Sequence, residues 1–305
     1  MCRANENIKL GVSYMRILAF DKSGQPTLGV RRGDDVVDLS VAAPDLPGDM
    51  PTLIAAGNDA MAHAEKSANN ASGDAVIPAE ALVYHPTIWN PGKIICVGLN
   101  YAAHAAEAVS DTSNVQNYPS LFLRVNSTLV GHEQPIFVPK ASNDLDYEAE
   151  MVAIIGKSGH CVSKSSALEH IAGYSVFNEG SVRDYQFKSS QWTSGKNFDA
   201  TGGFGPDFVT ADEVPAGGKG LRIQTRLNGE TMQDANTENM IFDIASLIEI
   251  ITEVMTLHPG DIIVSGTPDG VGFARKPPLW MKPGDVCKID IEGIGVLRNS
   301  IEAAE

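Results

Sequence analysis

The chain is poor in cysteine, has no long apolar run and carries no surplus of positive charge. Each shortage closes off a class of function. Among 305 residues there are four cysteines, Cys2, Cys96, Cys161 and Cys287. They lie far apart with no metal-type spacing, and they read as reduced thiols of a cytoplasmic protein. No apolar stretch reaches the roughly 20 residues that cross a bilayer, and the polar start, 1–7, lacks the apolar core of a signal peptide. Lys and Arg number 23 against 38 Asp and Glu, a net charge of −15. Nucleic-acid binding needs a basic surface, which this balance does not supply, whereas an enzyme that works with a cation tolerates it. There is no dinucleotide fingerprint, no Walker phosphate loop, no β-α-β alternation and no internal repeat.

What is present is ordinary for a globular protein: 43% hydrophobic and 20% charged residues, enough for one large domain or two smaller ones. Residues 1–14 read as a loose extension, and Met15 is as good a start as Met1. Residues 15–88 read as a small N-terminal domain of short strands and a helix over 52–66, with the boundary in the loop around Pro86–Pro91. Residues 89–305 read as a strand-dominated domain with one long helix, 238–257, whose apolar positions Ile241, Ile244, Leu247, Ile248, Ile251, Val254 and Met255 follow helical spacing. Asn228-Gly229 marks a hairpin turn. The fold class is therefore mixed β, α+β.

The chemistry centres on residues 145–156, Leu-Asp-Tyr-Glu-Ala-Glu-Met-Val-Ala-Ile-Ile-Gly. Side chains alternate along a strand, so Glu148, Glu150, Val152 and Ile154 share one face, and Tyr147, Ala149, Met151, Ala153 and Ile155 the other. Both faces look buried, yet one carries two carboxylates, on the order of 7 Å apart by strand rise. Either they are salt bridges at a rim, or they share a cation, pair with Lys or Arg, or hold a proton. Glu179 ends a following strand, 172–178, and adds a third acid. His104 and Glu107 stand three apart on a short helix, either as a base with its acid or as a surface pair. Lys196 lies in a glycine-rich loop, 191–206, and Arg124 ends a buried strand, 121–124. Residues 111–118 suit a mobile loop or lid.

In order along the chain, Val97-Gly98-Leu99-Asn100-Tyr101 with His104 and Glu107, Leu121-Phe122-Leu123-Arg124, Asp146-Tyr147-Glu148-Ala149-Glu150, Asn178-Glu179-Gly180-Ser181-Val182-Arg183-Asp184-Tyr185-Gln186, Gly195-Lys196-Asn197-Phe198-Asp199, Ser265-Gly266-Thr267-Pro268 and Lys282-Pro283-Gly284-Asp285 through Ile294-Gly295 resemble the fumarylacetoacetate hydrolase family. The likeness spans about residues 90–302, and residues 15–39 resemble the start of the small N-terminal domain in bacterial members, the acylpyruvase and 2-hydroxyhepta-2,4-diene-1,7-dioate isomerase-like branch. The resemblance implies a β-roll catalytic domain behind a small N-terminal α/β domain, a divalent metal and a homodimer. It implies Glu148, Glu150 and Glu179 as metal ligands, with Glu179 where the family usually has aspartate. Arg124 stands where the family often has lysine.

An all-oxygen ligand set suits Mg²⁺, Mn²⁺ or Ca²⁺ rather than zinc. By the resemblance, His104, held by Glu107, takes a proton from water. The hydroxide then attacks the distal carbonyl of a 2,4-dioxo acid of the acylpyruvate or fumarylpyruvate kind, releasing pyruvate and a carboxylic acid. Lys196 would stabilise negative charge, and Arg124, Arg183, Gln186 and Thr267 would grip the substrate carboxylate. The same site suits decarboxylation of an oxaloacetate-like acid or isomerisation of an unsaturated 2-oxo acid in aromatic catabolism. A metal-stabilised binding protein with a decayed site is the alternative outside enzymes. The expected partner is a small 2-oxo acid, with no nucleic acid and no membrane.

Overall fold

A computed structural model describes residues 15–108 and 117–305. The extension at 1–14 and most of the loop expected at 111–118 lie outside the described residues. The chain opens with β1 (Arg16–Lys22), β2 (Gln25–Arg32) and β3 (Asp35–Asp38), then α1 (Leu39–Ala42), α2 (Met50–Ala55), α3 (Asn58–Asn70) and β4 (Val76–Pro78). The single helix expected over 52–66 is two helices. Asp49 caps α2 by accepting from the Thr52 amide, and Gly57, at φ +82, turns the chain before α3. That positive φ is open to glycine at no steric cost.

Next come β5 (Ile94–Gly98), α4 (Ala102–Ala108), β6 (Ser120–Arg124), β7 (Leu129–Val130), β8 (Ile136–Val138), β9 (Leu145–Asp146), β10 (Ala149–Ile155), β11 (Ile171–Glu179) and β12 (Ser181–Val182). The chain continues through α5 (Arg183–Gln186), α6 (Thr193–Lys196), β13 (Gly202–Thr210), β14 (Arg222–Leu227), β15 (Glu230–Asn236), α7 (Ile244–Val254), β16 (Ile262–Val264), β17 (Val286–Ile291) and β18 (Gly295–Ala303). One large sheet runs β4-β3-β2-β1-β13-β11-β10-β16-β5-β6, with β7 on β13; a second runs β15-β14-β17-β18-β8. The N-terminal strands extend the large sheet, because β1 pairs antiparallel with β13. Among the described residues no helix is long and apolar enough to cross a membrane.

The alternation read from residues 145–156 decides where the core lies. Tyr147, Ala149, Met151, Ala153 and Ile155 pack between the two sheets with Ile223, Ile289 and Leu297 and with Leu247, Ile248 and Ile251 of α7. Val152 and Ile154 pack on the other side with Phe177, Phe204, Leu53 and Ile88. The ladder of β10 begins at Ala149 rather than at Tyr147. The amides of Glu148 and Ala149 are taken by the side chains of Asn178 (3.2 Å) and Gln233 (3.0 Å) instead of by a neighbouring strand.

The long helix is shorter than its apolar spacing suggests. It starts at Ile244, capped by Asp243, which accepts from the Ser246 amide. Asn100 takes up the residues before it: its carbonyl accepts from Ile241 N–H at 2.7 Å, and its side chain accepts from and donates to the Phe242 backbone. Residues 240–242 thus anchor the 97–101 segment, and this clamps the start of α4 against the end of β16.

Candidate metal centre and active site

The register of two antiparallel strands builds the cluster. Ala149 pairs with Asn178 across β10 and β11, so Glu148 and Glu179 lie side by side, with the Glu179 amide donating to the Glu148 carbonyl at 2.9 Å. Glu150 follows two positions on, on the same face. Oxygens of Glu148, Glu150 and Glu179 all come within 4.8 Å of one another, and all three residues are buried. The side chains converge beyond the spacing of the backbone, and burial excludes a pair of rim salt bridges.

Two cations enter the cluster. Lys196, the last residue of α6, donates to Glu148 Oε2 at 2.7 Å and Glu179 Oε2 at 3.1 Å. Arg183, the first residue of α5, places Nη2 at 2.6 Å from Glu148 Oε1 and Nε at 2.8 Å from Asp146 Oδ2. Burial raises the pKa of Glu148, but Lys196 and Arg183 outweigh it and hold the carboxyl below the usual range. Burial, with Glu179 and Glu148 adding repulsion, pushes Glu150 well above that range. Burial alone would lower Lys196, yet Glu148 and Glu179 raise it, so it stays an ammonium. Charge is thus paired on Glu148, whereas burial and its acidic neighbours disfavour charge on Glu150.

Glycines set two of these positions. Gly195 precedes Lys196, and a Cβ there would meet the Gln186 amide nitrogen at 2.4 Å, so α5 and α6 close up only around glycine. Gly266 sits at φ +100 and donates its N–H to Glu150 Oε2 at 2.5 Å.

The site fits a hard divalent cation. Its donors are all carboxylate oxygens, and the buried Glu179 Oε1 has no hydrogen-bond partner among the described residues.

His104 lies on α4, buried, with Nδ1 3.0 Å from Glu107 Oε1. Both Glu107 oxygens also accept from Gly270 N–H at 3.1 Å. A carboxylate only accepts, which assigns the proton of this hydrogen bond to Nδ1. His104 and the three glutamates line one cavity together with Lys196, Arg183, Gln186 and Thr267. Its remaining wall is apolar: Leu99, Phe187, Trp192 and Phe273.

Arg124 is the exception among the residues expected at the site. It does not line the cavity, and its donors go to Thr128, Gly180 and Thr201 inside the protein. A substrate grip by Arg124 is therefore corrected: the strand carries it behind Glu179, not in front of it. Gln186 Oε1 accepts from Arg183 Nη1 at 2.8 Å, and Thr267 Oγ1 accepts from Gln233 Nε2 at 2.9 Å.

Asp146 had no role in the sequence reading. It is fully buried and accepts from Arg183 and from the amides of Tyr147, Gly272 and Phe273. It thereby ties Arg183 to the loop that bears Phe273. The signal was available, since an aspartate entering a buried strand requires partners.

A family profile described as fumarylacetoacetate (FAA) hydrolase C-terminal matches residues 93–302. "Oxaloacetate tautomerase fahd2, mitochondrial" of Xenopus laevis is 35% identical over 293 residues, covering 94% of this chain and 90% of that protein. A crystal structure of maleylpyruvate hydrolase from Sphingobium sp. SYK-6 in complex with manganese(II) and pyruvate matches with a TM-score of 0.79 at 27% identity, covering 95% of this chain and 100% of that one. A crystal structure of a probable 2-hydroxyhepta-2,4-diene-1,7-dioate isomerase from Mycobacterium abscessus matches with a TM-score of 0.77 at 28% identity, covering 96% and 99%.

Proposed function

The chain belongs to the fumarylacetoacetate hydrolase family, and from that premise we propose that it is a divalent-metal-dependent enzyme interconverting the keto and enol forms of a small 2-oxo dicarboxylic acid, oxaloacetate foremost. The observation that carries this is a buried histidine, its Nδ1 held by Glu107, in the same cavity as three converging carboxylates. Similarity to an oxaloacetate tautomerase over 94% of the chain supports the substrate.

Glu148, Glu150 and Glu179 would hold the cation, Mg²⁺ or Mn²⁺, which supplies Lewis-acid polarisation of a chelated 2-oxo carboxylate. His104 Nε2 takes a proton from the carbon beside the oxo group. The C–H electron pair becomes the C=C bond, and the oxo oxygen gains the charge. Glu107 holds the imidazole in position and balances its charge while it carries the proton. Lys196, an ammonium within reach of Glu148 and Glu179, stabilises the developing oxyanion and supplies a proton donor to it. Phe187, Trp192 and Phe273 keep water from the reacting atoms. Arg183, Gln186 and Thr267 set the polar wall on which the carboxylate is oriented.

A second reading, hydrolysis of a C–C bond in a 2,4-dioxo acid, is favoured by the same His104–Glu107 pair, which can equally take a proton from water. Similarity to a maleylpyruvate hydrolase supports it. Stopped-flow absorbance of enol-oxaloacetate, run beside pyruvate release from acylpyruvates, separates the two. Metal-dependent loss of the enol band without pyruvate release is expected. Pyruvate release from acylpyruvates with no acceleration of the enol band would reverse the order. The protein is proposed to act in the cytoplasm as a homodimer, which light scattering in solution tests.

A further inference from the structure

We propose that Arg124 is the positioning residue of the carboxylate cluster: it fixes Glu179 from behind and so sets how tightly the cation is held, without touching substrate. This rests on the metal-dependent reading above.

Arg124 ends β6, and its side chain is fully enclosed. Nε donates to Thr128 Oγ1 at 3.2 Å, Nη1 to the Gly180 carbonyl at 3.2 Å and Nη2 to Thr201 Oγ1 at 2.9 Å. Two of these anchors flank Glu179: Gly180 follows it, and Thr201 precedes Gly202, which pairs with Glu179 across β11 and β13. A Cβ on Gly202 would come within 3.0 Å of Nη2, so the guanidinium is packed where it stands. Toward the cluster it presents Nη1, 3.7 Å from Glu179 Oε1.

That distance is too long for a hydrogen bond and short enough for strong attraction between enclosed charges. Oε2 of Glu179 takes Lys196, and Oε1 takes no hydrogen bond among the described residues. Arg124 thus aims the second oxygen by charge while leaving its lone pairs open to a cation. Shortening residue 179 by one methylene withdraws the carboxylate from this contact.

The test is Mn²⁺ binding to the full chain, read by electron paramagnetic resonance of the free ion, which does not depend on which reaction the enzyme performs. Arg124→Met is expected to weaken binding by about 10- to 100-fold, the usual loss when a group orienting a metal ligand is removed. Arg124→Lys, which keeps the charge, should recover most of it. In a Glu179→Asp background Arg124→Met should change affinity far less, because the partner has moved away. Oxalate affinity of Mn²⁺-saturated Arg124→Lys should equal the parent's. If Arg124→Met fails to fold, Arg124→Gln removes the charge and keeps a hydrogen-bonding amide for Gly180 and Thr201. Unchanged Mn²⁺ affinity in a folded neutral variant, equal losses in both backgrounds, or a loss confined to oxalate binding would each overturn the inference. A parent chain that binds no Mn²⁺ overturns the metal-dependent reading and this inference with it. A parent that binds Mn²⁺ without turning over oxaloacetate overturns only the proposed reaction.

Discussion

Lys196 Nζ and Glu148 Oε2 meet at 2.7 Å, both side chains 4% exposed. The ammonium also reaches Glu179, so one cation offsets two of the three clustered acids. Removing one partner of a buried pair strands the other charge. Arg183 still holds the other oxygen of Glu148, so Lys196→Met should cost about 3 kcal/mol in metal-free protein, the low end for a broken buried pair. Urea denaturation with and without Mn²⁺ checks this. The cation should stabilise the variant more than the parent, since it replaces the missing positive charge. Equal stability of parent and variant without metal would show that the lysine is not what balances the cluster.

Metal removal should abolish activity. After EDTA treatment, Mg²⁺ or Mn²⁺ should restore turnover and Zn²⁺ should do so poorly, because the donors are carboxylate oxygens with no His or Cys among them. Full activity in protein shown by elemental analysis to be metal-free would remove the cation from the reaction.

Part of this site is legible in the amino-acid sequence. The two-faced burial of residues 145–156 was readable because apolar residues occupy both faces of the strand while carboxylates interrupt only one. Asn228-Gly229 was readable as a turn because the pair favours positive φ, and the structure has φ 53° and 88° there. Arg124 was misread because a sequence shows that a cation ends a strand but not which neighbours enclose it. Its partners Gly180 and Thr201 lie at the ends of strands far along the chain. The start of α7 was misplaced for a similar reason: Asn100, well over a hundred residues away, claims the backbone of residues 241–242.

Glu150 predicts how binding responds to pH. Its pKa is raised in the folded protein by burial and by Glu179 and Glu148. The folded state therefore keeps a proton that the unfolded chain has lost above about pH 4.3. This contribution to stability is full below that value and is lost as pH rises through the raised one. Glu148 shifts the other way, so its own loss of stability comes at lower pH, outside this window. Metal binding needs the ionised form, so Mn²⁺ affinity should climb with pH by up to about tenfold per unit, with a proton released. Metal-free protein should lose stability as pH rises above the ordinary glutamate range, and Glu150→Gln should flatten that slope. Calorimetry in two buffers of different ionisation heat counts the proton. A pH-independent affinity would mean that Glu150 is already ionised.

His104 carries the sharpest test, because each candidate reaction asks something different of it. As the base, its loss in His104→Ala should lower tautomerisation by a factor on the order of 10²–10⁴. If the chain also hydrolyses acylpyruvates, that activity should fall alike, since water needs the same base. Decarboxylation of oxaloacetate requires no proton abstraction and should survive better. Mn²⁺ affinity should change little, because the imidazole is not among the three converging carboxylates. Glu107→Gln should show the same pattern more mildly. The amide can still accept from Gly270 N–H, but it no longer balances a protonated imidazole. Equal losses in all three reactions would assign His104 to the shape of the cavity rather than to proton transfer. A His104→Ala variant with parental tautomerase rates would remove it from the mechanism, and the base would then have to be sought among the carboxylates that the cation leaves free.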